Sequence, residues 1–485
     1  MSKDLVSSYE GELPEQWSIS TIGKLIASDG VFIDGDWVES KDQDQNGDVR
    51  LIQLADIGDG EYKNKSSRFL TKQKAIELNC TFLKSGDILL ARMPDPLGRC
   101  CIFPGDSKEC VTVVDVCVIR TESDKANHKW LMYWLNSPRL RNTIASLQSG
   151  TTRRRISRGN LASITFSVPP PDQQKQIVAK IEELFSHIDA GVIALQKAKQ
   201  LLKQYRQSVL KAAVTGELTR EWREQNKDKL EPASELLERI LAERRSKWEQ
   251  QQLEQFEAQG KAPKDAKWKS KYKLDTKKIT NECIQIPENW SWTILQNVFD
   301  VITDGDHQPP PKTDFGIPFL VIGNVNRGEL NFNETRYVSK DYYANLSEIR
   351  IPRKGDLLYT VVGSFGIPVK VDTDKEFCVQ RHIAILKPSR LVSREYLFHI
   401  LSSGFVYKQA SDSATGTAQK TVGLGELRNI VIPLPPMYEQ IEIASRISSK
   451  LEAIKRLDKN ICLQQLKAEK NKQSILLAAF SGSLT

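Results

Sequence analysis

Three short stretches carry residue types that could do chemistry, and each lacks part of the required set. The triplet Glu61–Lys63 has the acidic-x-Lys pattern of a nuclease core, but a chain with 27% charged residues contains such triplets by chance. Leu434–Met437 has the two prolines of an amino-methyltransferase motif, but neither end residue can bind an amino group or stack on a base. Phe480–Leu484 lacks the second glycine of a cofactor-binding loop, and no phosphate-binding G-x-x-x-x-G-K-[ST] motif occurs. These patterns favour a binding module over an enzyme.

Cysteine, histidine and charge narrow the class of protein further. The eight cysteines form no C-x-x-C pair and the five histidines have no metal-ligand spacing, so we expect free thiols and no metal or cofactor bound by this chain. The net charge of +8 is compatible with a polyanionic partner. No uncharged apolar run approaches the roughly 20 residues of a membrane helix, and residues 1–10 lack the apolar core of a signal peptide. We therefore expect a soluble, cytoplasmic protein without membrane contact.

The elements that must position any site occur twice. Leu13–Ser18 recurs as Ile286–Ser291, Ser85–Leu90 as Lys354–Tyr359, Val168–Pro170 as Leu434–Pro436, and Gln207–Ala213 as Gln473–Ala479. The offset falls from 273 to 266 residues along the chain, so insertions lie between these landmarks. This pattern predicts a tandem duplication.

Each copy begins with mixed strands and short helices and ends with one long helix. Prolines at Pro169–Pro171 and Pro435–Pro436 mark the two helix starts, and apolar residues then follow in alternating steps of four and three. The first apolar seam contains Ile177, Ile181, Leu184, Ile188, Leu195 and Leu202; the second contains Ile443, Ile447, Ile454, Leu457 and Ile461, with three polar interruptions. We expect these residues to pair the two helices and to dock partners. The alternative is that each helix packs only on its own domain.

The predicted fold is α+β, with two globular domains separated by two long antiparallel coiled-coil helices in a pseudo-twofold arrangement. The expected order is a first globular domain (1–170), a first long helix (171–219), a charged helical linker (220–282), a second globular domain (283–436) and a second long helix (437–485). Within the linker, Lys261–Lys278 carries eight lysines and two aspartates. That stretch is either a solvated linker or a contact with nucleic acid or an acidic partner.

Several motifs together carry a resemblance that covers nearly the whole chain. They are the opening Leu13–Trp17, the helix entries Val168–Gln174 and Leu434–Gln440, the helix exit Tyr205–Trp222, the linker segments Ala233–Ile240 and Glu243–Trp248, and the pairs Gly150–Thr151 and Gly416–Thr417. In this combination the chain resembles the specificity subunit of a type I restriction–modification system.

The resemblance implies a mechanism and a set of partners. Each globular part would be a target-recognition domain that reads one half of an asymmetric, bipartite site in double-stranded DNA. The helices would set the spacing and dock two modification subunits, which bind S-adenosylmethionine and methylate adenine. Restriction subunits, which use ATP and Mg²⁺, would cut unmodified DNA. This chain would supply sequence choice and no chemistry.

Base edges and phosphates are bound mainly by Arg, Lys, Asn, Gln, Asp and Glu, which selects candidate DNA contacts. In the first domain these are Arg92, Arg99, Arg153, Arg154 and Arg155; in the second they are Asp304, His307, Lys312, Arg381 and Lys420, together with Gln380 and Gln419. The alternative for each residue is a surface ion pair. For the whole chain, the alternatives are a scaffold that binds only proteins, which predicts no salt-dependent DNA affinity, and a self-sufficient modification or nuclease enzyme.

Overall fold

The computed structural model describes residues 14–26, 30–94, 96–121, 126–150, 154–263, 265–272, 284–306, 310–417 and 419–484. The chain divides into two compact units: unit 1 comprises Met1–Lys197 with Ile461–Thr485, and unit 2 comprises Ala198–Asn460. Each unit therefore contains one globular domain and a segment of both long helices. None of the helices in the described part of the chain is long and apolar enough to span a membrane.

The first globular domain is built from three small sheets with short helices around them. Its strands are β1 (Ser18–Thr21), β2 (Val31–Asp34), β3 (Val49–Ile52), β4 (Phe69–Leu70), β5 (Ile88–Ala91), β6 (Cys100–Ile102), β7 (Glu109–Thr112), β8 (Val116–Arg120) and β9 (Thr165–Val168). Its helices are α1 (Ile22–Ile26), α2 (Lys72–Glu77), α3 (His128–Leu135), α4 (Pro138–Ser146) and α5 (Arg158–Ser163), followed by the long α6 (Pro171–Val214). The sheets have the orders β2-β8-β5-β6, β4-β3-β7 and β1-β9.

After α6 come two linker helices and the second domain. The linker helices are α7 (Arg220–Gln225) and α8 (Ala233–Ala258). The strands are β10 (Ser291–Ile294), β11 (Phe299–Asp304), β12 (Ile317–Leu320), β13 (Arg336–Val338), β14 (Leu357–Thr360), β15 (Pro368–Lys370), β16 (Cys378–Val379), β17 (Ile383–Pro388) and β18 (Val431–Leu434). The remaining helices are α9 (Leu295–Val298), α10 (Lys340–Ala344), α11 (Arg394–Leu401), α12 (Gly404–Ser413), α13 (Leu424–Arg428) and the long α14 (Met437–Phe480). The sheet orders β11-β17-β14-β15, β13-β12-β16 and β10-β18 repeat those of the first domain, which confirms the duplication.

The central strand β5 is buried on both faces because a helical layer and a second sheet cover it. Ile88 and Leu90 of β5 point into a cluster with Trp130 of α3, whereas Leu89 points into a cluster with Phe103. Successive side chains of a strand alternate between faces, which explains the continuous apolar run. A turn at residues 114–115 separates β7 from β8 within the apolar stretch Val111–Ile119.

The repeated Gly-Asp landmark is a structural turn in both domains. Gly86 and Gly355 have φ values of 97° and 101°, a conformation that favours glycine. The next residue is a buried aspartate whose carboxylate pairs with a cation on the neighbouring strand. Asp87 binds Arg120 at 2.6 Å, and Asp356 binds Lys387 at 2.7 Å.

The repeated glutamine at each long-helix entry joins three elements. The amide of Gln174 donates to the Pro169 carbonyl at 2.9 Å and accepts from the backbone N–H of Asn127, the residue that caps α3, at 2.8 Å. Gln440 makes the equivalent bonds, to the Pro435 carbonyl at 2.8 Å and from the Ser393 N–H at 2.9 Å. Both amides are buried, so the motif shared with the family orients the helix on its domain.

The residue before that glutamine binds the repeated tryptophan. In unit 1, Gln173 accepts a hydrogen bond from the Trp17 indole N–H at 2.8 Å. In unit 2, the fully buried Glu439 accepts from the Trp290 indole at 2.8 Å. Glu439 also accepts from the Thr219 hydroxyl at 2.8 Å and forms an ion pair of 2.6 Å with Arg223.

Within each unit the two long helices run antiparallel, as the sequence predicts. In unit 1, Ile177 near the start of α6 and Phe480 at the end of α14 belong to one hydrophobic cluster, and Lys472 forms an ion pair with Asp189 at 2.5 Å. In unit 2, Val209 near the end of α6 shares a cluster with Ile443 and Ile447 near the start of α14. The helix starts therefore also pack on their own domains, so the two arrangements considered from sequence coexist.

The inward face of α14 differs in part from the predicted seam. Ile447, Ile454 and Ile461 are buried or half-buried as expected, but Leu457 is 52% exposed. Lys450, Leu451, Ala453 and Asp458 are half-buried between them. Asp458 rather than Leu457 therefore turns toward the other helix at this point. A role of Leu457 in partner docking stays a prediction.

Linker helix α8 is part of unit 2 and packs on its domain. Leu236 and Ile240 are buried in the cluster that contains Trp290 and Phe299, and Lys247 pairs with Asp300 at 2.8 Å. Beyond its end, the Ala266–Lys271 turn folds back through ring contacts, with Trp248 and Trp268 centroids 6.0 Å apart.

Candidate nucleic-acid interface

Two arginines proposed as DNA contacts in the first domain are structural. The Arg99 guanidinium is buried and donates to four backbone carbonyls, including those of Ile57 at 2.8 Å and Leu54 at 2.9 Å. Arg92 is also buried, donates to the Val114 carbonyl at 2.8 Å and pairs with Asp34 at 3.1 Å. Because both guanidinium groups are buried and bonded inside the fold, the prediction that Arg92 and Arg99 contact DNA is corrected.

The other predicted residues are buried, exposed or outside the described part of the chain. Asp304 is buried at the end of β11, which corrects its assignment as a DNA contact. Arg153 and His307 lie outside the described residues. Arg154, Arg155, Lys312, Arg381 and Lys420 are exposed.

An Asp-Gly-Asp sequence that occurs in both copies builds the same corner in each domain. Residues 34–36 and 304–306 both read Asp-Gly-Asp and follow the end of β2 and of β11. A Cβ atom on Gly35 would lie 2.2 Å from the Val113 carbonyl oxygen, and one on Gly305 would lie 1.9 Å from that of Val379. Only glycine permits this approach, which pairs Asp36 with Val113 and Asp306 with Gln380 in parallel bridges. This repeat was the sequence signal that could have located the site.

In the second domain this corner is the wall of a cationic cavity of about 340 Å³. Its lining includes the predicted Lys312, Gln380 and Arg381, and also Arg336 of β13 and His382. The acidic residue at its edge, Asp306, accepts a hydrogen bond from the Tyr342 hydroxyl at 2.8 Å. Burial, together with neighbouring Arg381, lowers the pKa of His382 below its ordinary value, so the imidazole is neutral at pH 7.

The three cations of this cavity have free donors. Within the described part of the chain, the side chains of Lys312, Arg336 and Arg381 form no hydrogen bond or ion pair. Elsewhere in the domain, cations such as Arg353 and Lys387 are paired with carboxylates. A concave site with unpaired Arg and Lys beside Gln and neutral His can bind phosphates and hydrogen-bond base edges. Arg336 was missed from sequence because it lies in the part of the domain that differs between the copies.

In the first domain, the basic residue near the equivalent corner lies on a different structural element. The β7–β8 turn has Asp115 at the position of His382, and Asp115 pairs with Arg155 at 3.5 Å. Arg155 belongs to a short hairpin in which it bridges Ser149. The equivalent hairpin of the second domain pairs Thr415 with Thr421 and places Lys420 next to Gly363, whose N–H donates to the Lys420 carbonyl at 3.0 Å. The two domains thus share a scaffold but present different polar side chains.

Together these features define a class: a duplicated α+β protein with two long helices, whose domains present different polar residues from one common corner. Residues 14–198 and 287–465 match the family model described as type I restriction modification DNA specificity domain. The chain belongs to this family, which confirms the resemblance seen in its sequence.

Curated relatives and solved structures agree with this assignment. The chain is 29% identical to the type I restriction enzyme EcoBI specificity subunit of Escherichia coli over 374 residues, which are 76% of this chain and 68% of the relative. It is 24% identical to the EcoDI specificity subunit of the same species over 381 residues, 77% of this chain and 72% of the relative. In fold, it is similar to a chain from a study of complex assembly and conformational transition of the type I R-M system (TM-score 0.65, 18% identity, 98% of this chain and 100% of that one). It is also similar to the HsdS subunit from Thermoanaerobacter tengcongensis (TM-score 0.54, 17% identity, 99% and 100%).

Proposed function

We propose that this chain is the non-catalytic subunit that selects the DNA sequence for a cytoplasmic type I restriction–modification complex. Each globular domain reads one half of an asymmetric, bipartite target in double-stranded DNA. The observation that carries this proposal is the cavity with unpaired Lys312, Arg336 and Arg381, at a corner that the first domain repeats with different polar residues. Different side chains on one scaffold suit two different half-sites.

The chemistry of readout follows from the donors available. Arginine can bind guanine with two hydrogen bonds and glutamine can bind adenine, while lysine holds phosphates. Arg381 and Gln380 are the base readers in this proposal, and Lys312 positions the backbone. In the first domain, Asp115 orients Arg155, and Arg154 beside it is free to reach a phosphate.

The long helices space the two half-sites and dock two modification subunits. Leucines on the outward side of α14 support docking: Leu463, Leu466 and Leu477 are each about half exposed, away from the buried Ile461. The modification subunits bind S-adenosylmethionine and supply adenine methylation, and the restriction subunits use ATP and Mg²⁺; this chain holds none of these groups.

The first test is methylation mapping. We expect co-expression with the cognate modification subunit to methylate adenine in one bipartite, asymmetric motif, and omission of this chain to abolish it. Replacing residues 1–170 by the domain of a relative should change one half of the motif only. A stable complex that methylates nothing would favour the protein-only scaffold.

The second test examines the cavity. We expect Lys312→Gln and Arg381→Gln each to weaken binding to the mapped motif, and Lys312→Gln to lower the salt slope of log K by about 1, since one phosphate contact is lost. Only Arg381→Gln should relax base preference in the second half-site. Lys408→Gln, which removes an exposed lysine of the same unit paired with Asp412, is the matched control. If Lys312→Gln and Arg381→Gln both bind the motif with the affinity, salt slope and base preference of the wild type, the cavity is not the DNA-binding site.

A further inference from the structure

One connection of each domain presents a nearly bare aromatic ring. Trp37 lies between β2 and β3, and Phe315 lies between β11 and β12, the equivalent connection of the second domain. Their exposed fractions are 70% and 84%. The two connections share the Asp-Gly-Asp start but otherwise differ in sequence, so the aromatic residue is placed independently in each copy.

Neither ring contributes to the fold of its domain. Among the described residues, neither belongs to a hydrophobic cluster or an aromatic pair. Both residues are nevertheless held by a hydrogen bond: the Thr313 hydroxyl donates to the backbone carbonyl of Phe315 at 2.8 Å, and the indole N–H of Trp37 donates to the Glu39 carboxylate at 3.2 Å. A singly exposed apolar residue is ordinary, but an exposed aromatic ring on the same connection of both domains points to a ligand that covers it.

Each ring lies on a connection whose backbone is paired with an element of the proposed interface. Thr313 pairs with Tyr337, which lines the cavity with Lys312 and Arg336. Trp37 follows Asp36, which pairs with Val113 at the start of the turn that carries Asp115 and its partner Arg155. An exposed ring on a connection that also contributes to a basic surface suits a polyanion with apolar, stackable faces. Double-stranded DNA supplies both, whereas an apolar protein groove supplies no anions.

We propose that Trp37 and Phe315 are equivalent wedges, each of which enters between base pairs of its own half-site and partly unstacks them. Insertion of an apolar side chain kinks the duplex, and the cost depends on which base step is opened. Each domain therefore adds a preference for a deformable step to its direct contacts with base edges. This inference rests on the proposed function, because it requires DNA at the same corner.

The test uses the full chain in complex with its modification subunits and a duplex containing the mapped motif, with 2-aminopurine placed at single steps. We expect the wild type to raise 2-aminopurine fluorescence at one step in each half-site. Trp37→Ala should abolish the rise only in the half-site assigned to residues 1–170, and Phe315→Ala only in the other. Each should weaken binding by roughly 5- to 100-fold, the range for loss of one base–aromatic stack.

Two variants separate a wedge from a structural role. Trp37→Phe keeps a ring and should retain most of the signal. Ile19→Ala, at a site 67% exposed in the same domain, should behave as wild type. All four variants should keep the thermal midpoint of the wild type. Wild-type binding and fluorescence in Trp37→Ala and Phe315→Ala would overturn the wedge proposal but not the proposed function. Equal losses at both half-sites from either of these two variants would do the same. A wild-type complex without affinity for DNA would overturn the proposed function as well.

Discussion

The carboxylate of Glu439 has no access to water, and Arg223 compensates its buried charge. The stability of unit 2 therefore depends on this ion pair. The two groups are 2.6 Å apart, and the Trp290 indole donates to the second carboxylate oxygen. Removal of one partner of a buried ion pair leaves an uncompensated charge, which costs about 3–5 kcal/mol. We therefore expect Arg223→Gln to lower the free energy of unfolding of unit 2 by about that amount, measured by urea denaturation.

The first copy provides the control for this experiment. Gln173 performs the same task for Trp17 as a neutral amide. The double variant Arg223→Gln with Glu439→Gln should therefore recover most of the lost stability, because no buried charge remains. A double variant as unstable as Arg223→Gln alone would show that the arginine acts through packing.

His399 gives unit 2 a predictable response to acid. Burial, assisted by Lys370 and Arg206 and opposed by Glu395, lowers the pKa of His399 from 6.5 to about 4; its ring bonds to Ser448 of α14 at 3.1 Å. Between pH 6.5 and 4 the unfolded chain takes up a proton that the folded chain refuses. Stability is therefore lost as the pH falls through this window, by up to roughly 3 kcal/mol.

The pH dependence can be checked against a variant without the imidazole. We expect the free energy of unfolding of His399→Phe, measured from pH 7 to pH 4, to fall less steeply than that of the wild type. Parallel curves for the two proteins would contradict an acid response through His399.

Helix α6 contains a glycine whose small size is not required by the packing of the helix. A Cβ on Gly191 would meet nothing within 4 Å, and the residue lies in the middle of the helix. Alanine there reduces the entropy lost on folding, so Gly191→Ala should stabilise the chain by about 0.5–1 kcal/mol.

The same variant reports on docking. If a helix of a modification subunit approaches the backbone of α6 at Gly191, the added methyl group will weaken complex formation while the isolated chain becomes more stable. Equal complex stability, measured by titration of the modification subunit, would place the docking surface elsewhere on the helices.

The helices and sheets were more predictable from sequence than the seam between helices. The start of α6 follows from Pro169–Pro171, because proline geometry acts locally. The seam of α14 was displaced at Leu457, because neighbouring helix positions differ by only about 100° and the partner helix decides which one turns inward.

Across the whole molecule, residues that are repeated between the copies stabilise the fold. Most residues of the proposed interface differ between the copies. The repeated Gln174 and Gln440, and the repeated Asp87 and Asp356, all form internal bonds. Arg92 and Arg99 were mistaken for DNA contacts because sequence does not reveal that backbone carbonyls surround them. Arg336 of β13 and the exposed rings of Trp37 and Phe315 had no sequence signal, because they lie in parts of the domains that differ between the copies.

Unit 1 is made of two segments that lie far apart in the sequence, so its folding can be completed only after the second segment has been synthesised. Phe480 packs against Trp130, with ring centroids 6.2 Å apart, and Gly482 lies against Pro14, where an added Cβ would come within 2.3 Å of the ring. These partners leave the ribosome only after all of unit 2 has been translated. The domain that is made first must therefore wait for the final helix, whereas unit 2 has all of its segments as soon as residue 460 emerges.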